Sequence, residues 1–217
     1  MKKLFTQITF VSLLTMTLFA CTKTSDTTVV NNTPVTATVK DLVADTVLGL
    51  DAKTGMPYSA GIYTFFNIEK NTIIPSTDTA NGNWDLAFKT TKILINGGTS
   101  GNALGGAFIY NGLFDDLKTI PADSVFKVDN APSSYAITYV NDNGWYHYDY
   151  ATNIVTPIPG RILVIRTAKG KYAKIEITSY CKGGVNLTSS SSFNDILFKQ
   201  RYYNFKLTYQ PNGTKIF

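Results

Sequence analysis

Two stretches near the C-terminal end alternate so strictly that only half-buried β-strands satisfy them. Within residues 172–180, Ala173, Ile175 and Ile177 share one parity and Lys174, Glu176 and Thr178 share the other. Within residues 203–209, Tyr203, Phe205, Leu207 and Tyr209 alternate with Asn204, Lys206 and Thr208. Successive side chains on a strand point to opposite faces, so this period sets one row against a core and the other toward solvent. A chain committed to two such strands must supply them with antiparallel partners.

Candidate partners recur along the chain. Residues 62–68, 84–88, 92–95, 135–140, 145–150 and 161–167 are rich in aromatic and β-branched residues, and the chain holds 13 Tyr and 13 Phe with only 16% charged residues. Asn141-Asp142-Asn143-Gly144 between aromatic runs predicts a hairpin joining 135–140 to 145–150, and Lys169-Gly170 predicts another joining 161–167 to 172–180. No long helix is predicted. Residues 41–50 and 193–200 are the weak helical candidates. The fold class read from this pattern is mainly β, a single antiparallel domain of many short strands.

The N-terminal residues carry a different signal. Lys2 and Lys3 precede a mostly apolar run over residues 8–20, which is shorter than the about 20 residues needed to span a bilayer. Positive head, apolar middle and small residue before a cysteine make residues 1–20 a secretory signal. Leu18-Phe19-Ala20-Cys21 resembles a bacterial lipobox, which makes Cys21 the lipidated first residue of the mature chain. Acylation by two or more chains, palmitate among them, gives a lasting membrane hold. Residues 21–40 are rich in Thr, Ser, Asn and Val and read as a lipidated flexible spacer, with the β-domain over residues 41–217.

Composition and motifs exclude several functions. The formal charge falls from +5 to +3 once Lys2 and Lys3 leave with the signal, and the remaining basic residues are scattered, so nucleic acid is not a partner. With Cys21 acylated, Cys181 has no internal disulfide partner and reads as a small buried apolar residue. The chain has one histidine, His147, no Gly-x-Ser-x-Gly elbow and no cluster of zinc-binding residues. The glycine-rich stretch of residues 96–106 lacks the Gly-Lys-Ser/Thr ending of a phosphate loop and reads as a long mobile loop, a candidate ligand lip. A binding protein is expected, not an enzyme.

Five segments in order then form a larger pattern. They are Tyr63-Thr64-Phe65-Phe66; Asn83-Trp84-Asp85-Leu86-Ala87-Phe88; the glycine-rich stretch ending in Gly105-Gly106-Ala107; Gly144-Trp145-Tyr146-His147-Tyr148; and Arg166-Thr167 through Gly170-Lys171-Tyr172-Ala173-Lys174 to Ser179-Tyr180. Together they resemble the HmuY family, haem-binding lipoproteins of Bacteroidota, from about residue 60 to the C-terminus. The resemblance implies an almost all-β fold, attachment to the outer membrane facing outward, haem capture for iron acquisition, and transfer to a TonB-dependent receptor. It also implies two axial histidines or two axial methionines. The mature chain has only Met56 and His147, so no such pair is possible.

By that alignment the second axial position falls near Tyr150. The axial candidates are therefore His147 and Tyr150, the latter because a phenolate binds ferric haem. Strand parity puts Tyr146, Tyr148 and Tyr150 on one face and His147 on the other. Trp84, Trp145, Tyr146 and Tyr148 are candidates for the cleft lining, the tryptophans also reading as core anchors. Lys89, Lys92 and Arg161 are candidates for the propionates. The alternative is a HmuY-like scaffold that has lost its ligand pair and binds another ligand or a partner protein. Growth with labelled palmitate should mark the wild-type chain, and Cys21→Ser should abolish the label.

Overall fold

The computed structural model describes residues 33–217, so the segment read as a signal and Cys21 lie outside the described residues. The chain runs β1 (Val35–Val43), β2 (Gly49–Leu50), β3 (Pro57–Tyr58), β4 (Thr64–Asn67), β5 (Thr72–Ile74), β6 (Leu86–Lys89), β7 (Lys92–Ile95) and β8 (Gly106–Asn111). It continues through β9 (Tyr146–Asp149), β10 (Ile154–Pro157), β11 (Arg161–Arg166), β12 (Tyr172–Cys181), the one-and-a-half-turn helix α1 (Phe193–Phe198) and β13 (Gln200–Gln210). A five-stranded antiparallel sheet has the order β1-β13-β12-β11-β8, and a four-stranded sheet the order β5-β4-β6-β7. β9 with β10 and β2 with β3 form two separate hairpins. The fold is mainly β with no long helix, and among the described residues no helix is long and apolar enough to cross a membrane.

The two sheets face each other across the main core. Phe66 and Phe88 of the smaller sheet meet Phe205 and Tyr203 of the larger, with ring centroids 5.8 Å apart for Phe66–Phe205 and 4.8 Å for Phe88–Tyr203. The inward rows of β12 and β13 are buried, as their alternation requires. Their outward rows are only partly solvated. Phe114, Leu117, Ile120 and Phe217 cover the far face of the larger sheet around Ile162 and Val164, which explains why four consecutive residues of β11 are buried. Lys174 is buried there with the outward row, its Nζ donating to the carbonyls of Phe114 at 2.7 Å and Leu117 at 2.9 Å. Burial lowers its pKa.

Four expectations change. β1 starts at Val35, inside the segment read as spacer, and pairs with β13 from Val35↔Tyr209 onward. Its Thr-rich alternation is that of a half-exposed edge strand, a pattern that resembles polar coil. Residues 41–50 leave β1 for a loop and β2 instead of forming a helix, whereas α1 falls within residues 193–200. The turn at residues 141–144 exists, but β9 pairs with β10 (Tyr148↔Val155), not with residues 135–140. The glycine-rich stretch is a tight knot: Gly105 N donates to Asn96 O at 2.9 Å and Thr99 N to Asp129 O at 2.8 Å. A Cβ on Gly97 would strike the Gly105 carbonyl and one on Gly98 the Asp129 carbonyl, so the glycines serve close backbone approach and not motion.

Much of the chain outside the sheets is tied by buried aspartates. Asp85 accepts from Ile68 N at 2.7 Å and Ala168 N at 2.8 Å, linking the end of β4 to the β11–β12 turn. Asp129 accepts from Ile95 N and Ala136 N. Desolvation raises the Asp85 pKa above its ordinary value, the two amide donors opposing it.

Asp85→Ala should cost about 3 kcal/mol in urea unfolding, because two buried amides lose their acceptor at about 1–3 kcal/mol each. A raised carboxyl pKa means the folded state holds the proton more tightly. The wild-type advantage should therefore narrow as pH rises from 3.8 through the raised value.

Candidate functional site

One end of the larger sheet opens into a cleft of about 740 Å³. Its floor is Tyr180 at the end of β12, Gln200 and Arg201 at the start of β13, and Tyr146 with Val155 from the β9–β10 hairpin. One wall is the outer part of that hairpin, with Tyr148, Tyr150, Thr152 and Asn153. The other walls are Phe193, Ile196 and Leu197 of α1, Val47, Met56 and Pro57 around the β2–β3 hairpin, and Thr90 and Thr91 of the β6–β7 turn. Tyr139 and Asn141 complete the rim.

Gln200 assembles these parts. Its side-chain carbonyl accepts from Val155 N at 2.8 Å, and its amide donates to Asn153 O at 2.9 Å and Ile196 O at 2.8 Å. One buried side chain thus ties the β9–β10 hairpin and α1 to the sheet. The short helix starts because Ser192 caps it, its hydroxyl accepting from Asp195 N at 3.1 Å. Asn141 replaces a strand partner for Tyr148, accepting from Tyr148 N at 2.6 Å and donating to Tyr148 O at 3.2 Å. The tight turn after β9 is closed by Asp149, whose carboxyl stays below its ordinary pKa chiefly through the Thr152 hydroxyl.

An aromatic layer supports the floor. Trp145, Tyr180 and Tyr203 meet at centroid distances of 5.1 to 5.4 Å. Trp145 Nε1 donates to Thr91 O at 3.0 Å and Tyr203 Oη to Thr90 O at 2.8 Å, which fixes the β6–β7 turn against the cleft. Burial raises the Tyr180 phenol far above its ordinary pKa, so it stays a neutral hydroxyl.

The sequence candidates divide accordingly. Tyr146, Tyr148 and Tyr150 line the cleft together, Tyr146 buried and Tyr150 77% exposed at the rim. Tyr148 and Tyr150 pack edge to face at 4.9 Å, and Tyr148 Oη donates to Asn153 at 2.6 Å. His147 points to the opposite face, exposed and paired to Asp142 Oδ1 at 2.7 Å, and does not line the cleft. Trp145 is buried beneath the floor. Trp84 belongs to a separate cluster with Phe65, Ile74 and Ala87, its indole donating to Thr79 O at 3.1 Å; it lies just before β6, packed on the face of the smaller sheet away from Phe66 and Phe88.

None of Lys89, Lys92 and Arg161 lines the cleft: Lys89 donates to Gly61 O, Lys92 lies over the rings of Tyr135 and Tyr139, and Arg161 bonds Asn111. Sequence reading missed α1, Gln200 and Arg201 as cleft residues, and the position of Met56 in the wall. Among the described residues no cluster of His, Cys, Asp and Glu could hold a metal ion. Cys181 is buried, its thiol pushed up to about 11.

Residues 62–194, more than half of the chain, match the family model described as HmuY protein. No curated protein matches the chain. Among solved structures the chain is similar to a candidate lipoprotein of Bacteroides fragilis, at 16% identity over 83% of this chain and 92% of that one, TM-score 0.47. It is similar to the apo HmuY analog of Tannerella forsythia, at 14% identity over 82% and 96%, TM-score 0.43. A candidate HmuY-like haem-binding protein of Bacteroides vulgatus is similar at 13% identity over 82% and 93%, TM-score 0.46.

Gln200→Leu keeps the size of the side chain and removes all three bonds. Exchange of the Val155 amide with deuterium should then accelerate at least about tenfold relative to amides in β12, because the hairpin opens locally.

Proposed function

Because the chain belongs to the HmuY family, we propose that it is a lipoprotein anchored through Cys21 to the outer membrane, facing outward, that binds haem or a related tetrapyrrole in the cleft described above. The observation that carries this reading is the cleft itself. A pocket of about 740 Å³ falls in the size range of small-molecule sites, about 300–1,000 Å³, and its walls are mostly aromatic and aliphatic with a few polar groups. Haem, a flat apolar ring with polar propionates at one edge, has the matching character. Haem is cargo in this reading, supplied to iron acquisition through a TonB-dependent receptor.

The iron would be met by side chains of the cleft. Tyr150, at the rim, offers a phenolate, and Met56, in another wall, offers a thioether; both donor types ligate haem iron. His147 takes no part in this arrangement, since it faces away. That orientation favours one second reading, a HmuY scaffold whose cleft holds a different ligand.

Hemin titration of the full chain in detergent, against detergent blanks, separates the two. The expected result is a saturable Soret band. Tyr150→Phe should shift the band and weaken binding about tenfold, Met56→Leu should weaken it less, and His147→Ala should leave it unchanged. A broad spectrum that never saturates would remove haem and leave the second reading.

A further inference from the structure

We infer that Arg201 is the anion anchor of the cleft and selects ligands that carry a free carboxylate at the edge of a flat apolar body. This inference rests on the reading of the cleft as a tetrapyrrole site and names the group by which the ligand is chosen.

Arg201 is the only charged side chain among the described residues that line the cleft. The floor and walls hold no aspartate or glutamate among the described residues, so nothing in that lining would repel an anion. The guanidinium is half-buried and forms no ion pair with a described residue; Nη1 donates to Asp45 O at 2.9 Å. The Asp45 carboxylate is nearby but committed elsewhere, accepting from Gly61 N at 2.7 Å, Ser59 Oγ at 3.0 Å and Ile62 N at 3.3 Å. The rest of the arginine fork is left for a ligand. A guanidinium matches a carboxylate by two parallel hydrogen bonds, and partial removal from water strengthens them.

The backbone is bent to put this charge here. On a regular strand Gln200 and Arg201 would face opposite sides, yet both line the cleft. Arg201 has φ +71°, a left-handed conformation that costs free energy in any residue but glycine. The strand register also shifts between Ser179 and Cys181, directly opposite. The strain is held by Ala44 N donating to Arg201 O at 2.8 Å and by the three bonds of Gln200. Tyr180, on the same floor, adds a neutral hydroxyl. The floor therefore places one cation beside the phenols of Tyr146 and Tyr180, below aromatic walls, a setting complementary to a carboxylate attached to a planar ring.

The test compares hemin, hemin dimethyl ester and iron-free protoporphyrin IX on the full chain in detergent, followed by Soret absorbance and tryptophan quenching. Wild type should bind hemin at least about tenfold more tightly than its diester. Arg201→Gln keeps a donor for Asp45 O without the charge. It should weaken hemin and protoporphyrin IX by similar factors of about ten and leave the diester unchanged, whereas Arg201→Lys should recover part of the loss. Far-UV circular dichroism of each variant should match wild type. Hemin binding that is indifferent to both esterification and Arg201→Gln overturns the anchor while the haem reading stands. Failure of hemin and protoporphyrin IX alike to bind saturably overturns both.

Discussion

The two sheets of this protein are short-stranded, and apolar packing between them has no direction of its own. The direction comes from Asp85. Its carboxylate, taken out of water, reaches the end of one sheet through Ile68 N and the turn of the other through Ala168 N. Burying a charge is unfavourable unless its lone pairs are used, so the interaction holds only when both amides are in place. The facing aromatic pairs of Phe66, Phe88, Tyr203 and Phe205 then have a single registration. Asp129 and Asp45 repeat the device for the segment after β8 and for the loop after β3. Cys181 is the one cysteine among the described residues, so no disulfide ties them to one another, and carboxylates hold the long connections instead.

The cleft follows from where this order runs out. β12 and β13 pair regularly from Tyr172↔Gln210 to Ile177↔Phe205 and then lose register toward Cys181↔Gln200. Beyond that point the sheet no longer closes on the core, and three short elements are gathered at its end. Each is weak alone: β2 and β3 have two residues each, α1 has six, and β9 and β10 have four each. Two-stranded hairpins and one-and-a-half-turn helices are marginal in isolation. Gln200 and Asn141 supply the hydrogen bonds that fix two of them. The outer walls are thus drawn from short elements that are weak alone, which lets a wall adjust to a ligand without disturbing the core.

The sequence was legible where a single strand contained the whole message. The alternation in β12 and β13 marked their inward faces, and the same period alone set Tyr146, Tyr148 and Tyr150 apart from His147. Legibility failed where the message is shared between distant segments. Residues 135–140 have the composition of a strand, yet β9 found its partner downstream in β10, because Asn141 already satisfies the backbone of Tyr148. Trp84 and Trp145 have similar local patterns but separate surroundings. Met56 comes to the cleft from one part of the chain, and α1 with Arg201 from another far along it. Arg201 arrives through a left-handed residue in a strand, and an arginine, unlike a glycine, asparagine or aspartate, gives no sign of that conformation in advance. The glycine-rich stretch misled for the opposite reason: glycine marks close backbone approach as well as freedom, and here the approach of Gly97 to Gly105 and of Gly98 to Asp129 decides.

In the proposed arrangement, the absence of a matched axial pair changes where the binding free energy comes from. Two strong iron donors would hold a haem at its centre and leave its edge unspecified. A cleft with the Tyr150 phenol at the rim, the Met56 thioether in a wall and the Arg201 guanidinium on the floor grips body and edge instead. Burial of an apolar ring contributes roughly 25 cal/mol per Å², and that contribution does not depend on the metal or its redox state. A carboxylate on Arg201 adds orientation, because its two parallel hydrogen bonds fix which edge of the ring enters first. Such a site discriminates by shape and by the charged edge. It would accept a tetrapyrrole before iron enters or after iron leaves with less loss of affinity than a site that depends on two axial ligands.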